Sequence, residues 1–240
     1  MLERLRSGWW AAIPLASVIG IVFATRALAG VGDGLTYLAL VAVPPLAAVA
    51  VGWAMRGARP WLALVVPVLF GLAWADHSGL VGEAAGVVLD GLSAVTLAVL
   101  LAGVAPRRLV KLGIVAMAIV DIWLVASEAL KAPNRAINAA APIAHLPQLQ
   151  RAVFGTAVLG YEDLFIAALL GALLAATPRL ALRGAALAAF AALAFDALFF
   201  AVDELPATVP IAVALVALEV RDRRLTRRAS SRTMPMYPGP

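Results

Sequence analysis

The chain has 240 residues, of which 63% are hydrophobic and 14% charged, with a mean hydropathy of +0.96. A soluble domain is about half apolar and a quarter charged, so these proportions exclude a water-soluble globule. The absence of cysteine excludes disulfide frameworks, thiol catalysis, iron–sulfur clusters and thiolate zinc sites. The only histidines, His77 and His145, lie far apart in the chain, so no histidine-built metal site is expected, nor any other cofactor. The net charge of +5 does not point to nucleic acid. The basic residues stand in short clusters between apolar runs, which is the pattern of membrane topology.

A spanning helix needs about 20 mostly apolar residues, because lipid offers no partner to an open backbone. Eight runs qualify: Trp9 to Leu28, Leu35 to Met55, Trp61 to Ala75, Glu83 to Val104, Leu109 to Leu130, Ala152 to Ala176, Leu180 to Val202 and Pro206 to Val220. The third is short and interrupted by Pro67. The expected fold is all-α, a polytopic membrane bundle of about eight transmembrane helices. Residues 1–108 supply four of them and 109–220 the other four, with 131–151 as an extracytoplasmic loop and 221–240 as a basic, disordered cytoplasmic tail drawn to anionic lipid headgroups.

With the N-terminus in the cytoplasm, the inner side holds all but four of the 19 basic residues, from Arg4 and Arg6 to Arg232. Only Arg26, Lys131, Arg135 and Arg151 fall outside, where the short turns carry Asp33, Asp76, Asp203 and Glu204. This bias places both termini in the cytoplasm of a prokaryotic-type cell membrane. The first run ends in Ala27-Leu28-Ala29, a small-x-small arrangement like a signal-peptidase site, and cleavage there would leave seven helices. The run is longer than a signal core and Arg26 interrupts its end, which favours an uncleaved first helix. Gly82 and Gly86, a small-xxx-small pair, read as close helix packing rather than dimerisation.

An ionisable group at mid-bilayer costs at least about 2.5 kcal/mol, so each needs a structural or chemical reason. Asp121 lies about 12 residues, or 18 Å, from the inner end of the fifth run, and Asp163 about 11 residues, or 17 Å, from the outer end of the sixth. On consecutive antiparallel helices the two acids reach similar depth and can face each other. Two carboxyls in a poorly solvated place share a proton, which suits activation of water against a peptide carbonyl. The alternative is a proton-coupled transporter or channel using Asp90, Asp121, Asp163 and Asp196 as a relay. Asp90 and Asp196 read as capped, water-reached or helix-bonded acids, and Glu128 lies on roughly the same helix face as Asp121, near the outer exit.

The acids stand in Ile119-Val120-Asp121-Ile122 and Gly160-Tyr161-Glu162-Asp163, and Pro206-Ala207-Thr208 opens the last run. In this order the three resemble the Tyr-Asp, Gly-x-Gly-Asp and Pro-Ala-Leu motifs of the presenilin and signal peptide peptidase family of intramembrane aspartyl proteases, as a divergent prokaryotic-type member. The resemblance covers roughly Leu109 to Val220, and Lys131-Ala132-Pro133-Asn134-Arg135 also looks like that family's connection after the first motif. Val120 stands in place of the aromatic residue, Glu162 of the second glycine and Thr208 of the leucine. The resemblance implies a presenilin-like bundle with Asp121 and Asp163 as the catalytic pair. Gly160, Tyr161, Glu162, Pro206, Ala207 and Thr208 would form the motif surfaces beside it, and the substrate would be a transmembrane helix or a signal-peptide remnant. Prolines at 206 and 210 discourage regular helix and would leave backbone groups free to pair with an unwound peptide. No Gly-x-Ser-x-Gly or His-Glu-x-x-His is present, which excludes the serine and zinc alternatives. Phe195-Asp196-Ala197-Leu198 with Asp203 bears a fainter similarity to lysoplasmalogenase-type lipid hydrolases.

Overall fold

The computed structural model describes residues 7–28, 30–200 and 205–232. Arg4, Arg6, Ala29, Asp203 and Glu204, used above to place the chain start and the last outer turn, lie outside the described residues. The apolar runs fold as α1 (Ile13–Ala27), α2 (Val31–Val49), α3 (Val65–Ala75), α4 (Leu80–Val104), α5 (Arg107–Ala126), α7 (Tyr161–Leu174), α8 (Pro178–Asp196) and α9 (Val209–Arg232), with a short α6 (Lys131–Ala139) between α5 and α7. Five helical stretches among the described residues are long and apolar enough to cross a membrane: Gly8–Ala27, Val31–Ala54, Leu80–Val104, Arg107–Ala126 and Pro178–Asp196. Pro60–Ala75 is apolar but shorter. Trp9, Trp53, Trp61, Trp74 and Trp123 are all exposed, each within four residues of the end of one of these stretches, where an amphipathic indole suits the headgroup level.

Three expectations about the chain path are corrected. Residues 152–160, expected to begin the sixth span, belong instead to β1 (Arg151–Phe154) and β2 (Ala157–Gly160), an antiparallel hairpin that pairs Arg151 with Gly160 and Phe154 with Ala157. A short apolar run cannot be told from a strand by hydropathy; here Val153, Phe154 and Val158 favour strand and Gly155, at φ 61°, turns the chain. The helix that follows therefore has 14 residues, about 21 Å. Secondly, α9 runs unbroken to Arg232, so 221–232 is helical rather than disordered, a started helix propagating through good helix formers; residues 233–240 lie outside the described part. Thirdly, 131–151 is not bare loop, since it carries α6 and a 3-10 turn at Ile143–His145. Pro67 does not break α3 either, because it falls in the first turn, where no helical partner for its N–H is lost.

Between helices in lipid the hydrophobic effect gives little drive, and association depends on close van der Waals approach. The helix that meets this demand is α4, the most deeply buried of the five long spans. Its inward residues, Gly82, Ala85, Leu89, Ser93, Ala94, Ala98 and Leu101, recur every three or four positions and are mostly small, and α2, α3 and α7 all pack against it. One core joins α4, α5, α7 and α9 through Leu101, Ile114, Leu169 and Leu215, while a second joins α2, α3 and α4 with Leu149. Prolines 44 and 45 sit inside α2, which continues as a π-helical turn at Ala50–Ala54, and the buried Thr96 hydroxyl donates to the Leu46 carbonyl at 2.7 Å, tying α4 to that irregular stretch.

Of the glycine pair only Gly82 is needed for close packing, and against a turn of the chain rather than another helix. Gly82 donates its N–H to Asp76 Oδ2 at 3.1 Å, and a Cβ at 82 would overlap the Asp76 backbone carbonyl. A Cβ at 86 would meet only Leu149, at 4.0 Å. Gly82→Ala is expected to lower stability by about 1–3 kcal/mol, as overpacking does, and Gly86→Ala to leave it nearly unchanged. Thermal unfolding of the two variants in detergent checks this, and equal effects would contradict the packing.

Candidate active site

Asp121 occupies the last turn and a half of α5, ahead of Ala126. The described chain resumes at Leu205 and Pro206, and α9 starts only at Val209. Pro206 has no N–H to donate and keeps the preceding residue out of the helix, whereas Pro210 sits in the first turn of α9, where a missing N–H costs nothing. Thr208 is left as the residue that opens α9. Its backbone N–H donates to Asp121 Oδ2 at 3.1 Å and its Oγ1–H donates to the same oxygen at 2.7 Å. A carboxylate from α5 thus rests on the N-terminus of α9, where unpaired amides and the helix dipole favour an acid. Thr208 is buried, and Ala207 and Pro206 are half-buried beside it.

Asp163 is held in a parallel manner. It is the third residue of α7, and its Oδ2 accepts the N–H of Gly160 at 3.1 Å, so this acid too lies at a helix N-terminus. The expectation of a mid-helix position, about 11 residues into a span, is corrected by the hairpin that replaces the first part of that span. Asp163 nonetheless lies within electrostatic reach of both Asp121 and Glu162, and Glu162 within reach of Asp121. The Glu162 carboxyl folds back over Gly160, into space that a side chain at 160 would occupy. Tyr161 does not join the cluster: its hydroxyl lies 2.8 Å from Ser93 Oγ on α4. The three separated motifs therefore converge, with α5, α7 and α9 packed around one core.

Beside this cluster an apolar groove of ≈ 830 Å³ runs between α5 and α9, lined by Val115, Ile119 and Ile122 on one side and Ala212, Val213 and Val216 on the other. Ile122 and Val209, both in its lining, are the chain neighbours of Asp121 and Thr208. The residues that form it recur at three- and four-residue spacing, a signal present in the sequence but indistinguishable there from any other helix face. Its floor includes Ala118 and Ala212, where larger side chains would close it.

The remaining candidates are placed apart. Asp196 is exposed at the end of α8, and Glu128, exposed and at φ 55°, follows the end of α5, where it pairs with Lys131 at 2.8 Å. Asp90, read as a capped or water-reached acid, is neither: its exposure is 0% and both carboxyl oxygens lack a partner. His77 and His145, distant in sequence, come together with ring centroids 5.0 Å apart, which corrects the expectation that they are far apart. No group of three or more His, Cys, Asp or Glu residues is placed to hold a metal among the described residues.

Set against models of known protein families, curated proteins and solved structures, the chain matches none. The site therefore stands on its own geometry. Because a hydrogen bond to a charged group is worth about 1.5–3 kcal/mol, Thr208→Val, which keeps the volume and removes the hydroxyl, is expected to cost about that much stability, with Thr208→Ser recovering most of it. Chemical denaturation in mixed micelles measures both; a neutral Thr208→Val would show that the 2.7 Å bond carries nothing.

Proposed function

We propose that this chain is an intramembrane aspartyl protease, a divergent relative of the presenilin and signal peptide peptidase family, with Asp121 and Asp163 as its catalytic pair. The observation that carries the reading is the bond of Thr208 to Asp121 together with the electrostatic reach of Asp163 to the same acid. Asp121 on α5, Asp163 on α7 and the proline turn before α9 would then be the parts that the three motifs bring together.

In the proposed reaction one acid is charged and the other neutral. The charged carboxylate takes a proton from water as the water oxygen bonds to the scissile carbonyl carbon, and the neutral acid gives its proton to the carbonyl oxygen. Collapse of the resulting diol breaks the C–N bond and passes a proton to the leaving nitrogen. Thr208 fixes one oxygen of Asp121, which leaves Oδ1 for the water. The groove between α5 and α9 is suited to a transmembrane helix, since it is apolar and lateral and its lining includes Ile122 and Val209, the chain neighbours of Asp121 and Thr208. To be cut, that helix must unwind, and β2, paired on one edge only and exposed along most of its length, offers a free strand edge leading directly to Gly160.

An eight-span topology accompanies this reading. It adds Pro60–Ala75, bounded by Trp61 and Trp74, the short α7, and the first part of α9 to the five long stretches. The termini and basic clusters are then cytoplasmic, and α6 and the hairpin lie on the outer side. The relay alternative is weakened by Asp196, which lies exposed at the end of α8 rather than inside the bundle.

Asp121→Asn and Asp163→Asn are each expected to reduce cleavage of a transmembrane reporter at least about 10³-fold, as loss of an essential acid or base does, while the protein still inserts. Undiminished cleavage by either variant rules out this mechanism. Val216→Trp, at an exposed groove position, is expected to weaken cleavage by filling the groove while leaving the acids in place; unaltered cleavage by that variant would put the substrate elsewhere.

A further inference from the structure

Asp90 is the one fully buried carboxylate among the described residues. It stands partway along α4, next in the chain to Leu89, a residue of the apolar core that α4 shares with α2 and α3, and neither of its carboxyl oxygens has a partner. One turn further along, Ser93 donates its hydroxyl hydrogen to the Asp90 backbone carbonyl at 2.8 Å, and Ser93 Oγ lies 2.8 Å from the Tyr161 hydroxyl. With the hydrogen of Ser93 committed, Tyr161 is the donor of that pair. Tyr161 also lies within electrostatic reach of Asp90.

The elements around α4 bring no cation to this acid. On α7, Tyr161 faces it, while Glu162 and Asp163 belong to the acid cluster. Asp33 and Tyr37 of α2 are exposed, and Arg151 of β1 bonds Gln148 and Asn138. The other elements packed on α4, namely α3 and the turns at Gly8–Ala12 and Ala50–Ala54, carry no ionisable side chain. A fully buried carboxylate charge with no hydrogen-bond partner is untenable in such packing, and a bound proton neutralises it.

We propose that Asp90 is a proton-binding site separate from the Asp121–Asp163 pair, and that its occupancy sets the position of Tyr161 at the head of α7. With the proton bound, the Tyr161 hydroxyl is given to Ser93. When the proton leaves to water, the bare carboxylate is the stronger acceptor, and the same O–H turns from Ser93 to Asp90. Tyr161 is the first residue of α7 and Asp163 the third, so the movement is passed to the acid cluster. Asp90 is a positioning residue in this account, which holds whether or not the chain cleaves peptides.

Infrared spectroscopy of the full chain in lipid vesicles tests it. The expected result is a neutral-carboxyl stretching band at about neutral pH that is present in the Asp121→Asn, Asp163→Asn double variant and is lost when Asp90→Asn is added to it. The band should fade as the pH is raised. Amide exchange across residues 157–163 should change in step with it in the wild type and stay constant in Tyr161→Phe. Should Asp90→Asn fail to fold, carboxyl-¹³C aspartate on an Asp121→Asn, Asp163→Asn background gives the same reading with Asp90 intact. A band in the Asp121→Asn, Asp163→Asn variant that survives the addition of Asp90→Asn, or no isotope-shifted band on that background, overturns the proton site. A band that titrates while exchange stays constant in the wild type overturns the link to α7.

Discussion

Everything at the candidate site depends on where an acid can be tolerated inside an apolar bundle. Asp121 is tolerated because it rests on the opening amides of α9, through Thr208, and Asp163 because it closes onto Gly160 at the opening of α7. Two helix N-termini, each with unpaired N–H groups and a favourable dipole, are directed at the same region, and the acids follow them. The proline turn at 206 is what starts α9 there, since a helix begun one turn earlier would bury those amides in its own ladder. The hairpin β1–β2 does the same for α7 by ending at Gly160.

The second constraint is α4. Its small inward residues let α2, α3 and α7 approach closely, which holds the head of α7 against Ser93 and so fixes the direction from which Asp163 enters. Arg107, whose Nη2 donates to the Leu173 carbonyl at 2.5 Å, anchors the other end of the same helix, and the Lys111–Glu219 ion pair joins α5 to α9. The three helices that carry the motifs are thereby tied at both ends, and the groove between α5 and α9 is left as their open flank.

Much of this was legible in the sequence and some was not, for physical reasons. The membrane class followed from composition, and the long apolar helices from runs that nothing but helix can satisfy in lipid. The three motif positions drew attention because an acid within such a run needs a structural or chemical reason and Pro206 bars the preceding residue from regular helix. The strand character of 151–160 was hidden, since an apolar stretch reads alike in either conformation until a turn at Gly155 decides it. The depth of Asp163 was misjudged as a direct result. Asp90 was underrated, because no local pattern distinguishes a buried acid that finds a partner from one that finds none. The pairing of His77 with His145 depends on a tertiary contact that chain distance conceals.

The meeting of the two acids can be measured without reference to catalysis. The chain has no native cysteine, so Asp121→Cys combined with Asp163→Cys can be treated in membranes with a short thiol-specific cross-linker, alongside Asp121→Cys with Thr208→Cys as a pair in established contact. The account predicts efficient cross-linking of both pairs. Cross-linking at 121 and 208 with none at 121 and 163 would contradict it, since the acids would then serve separate parts of the bundle.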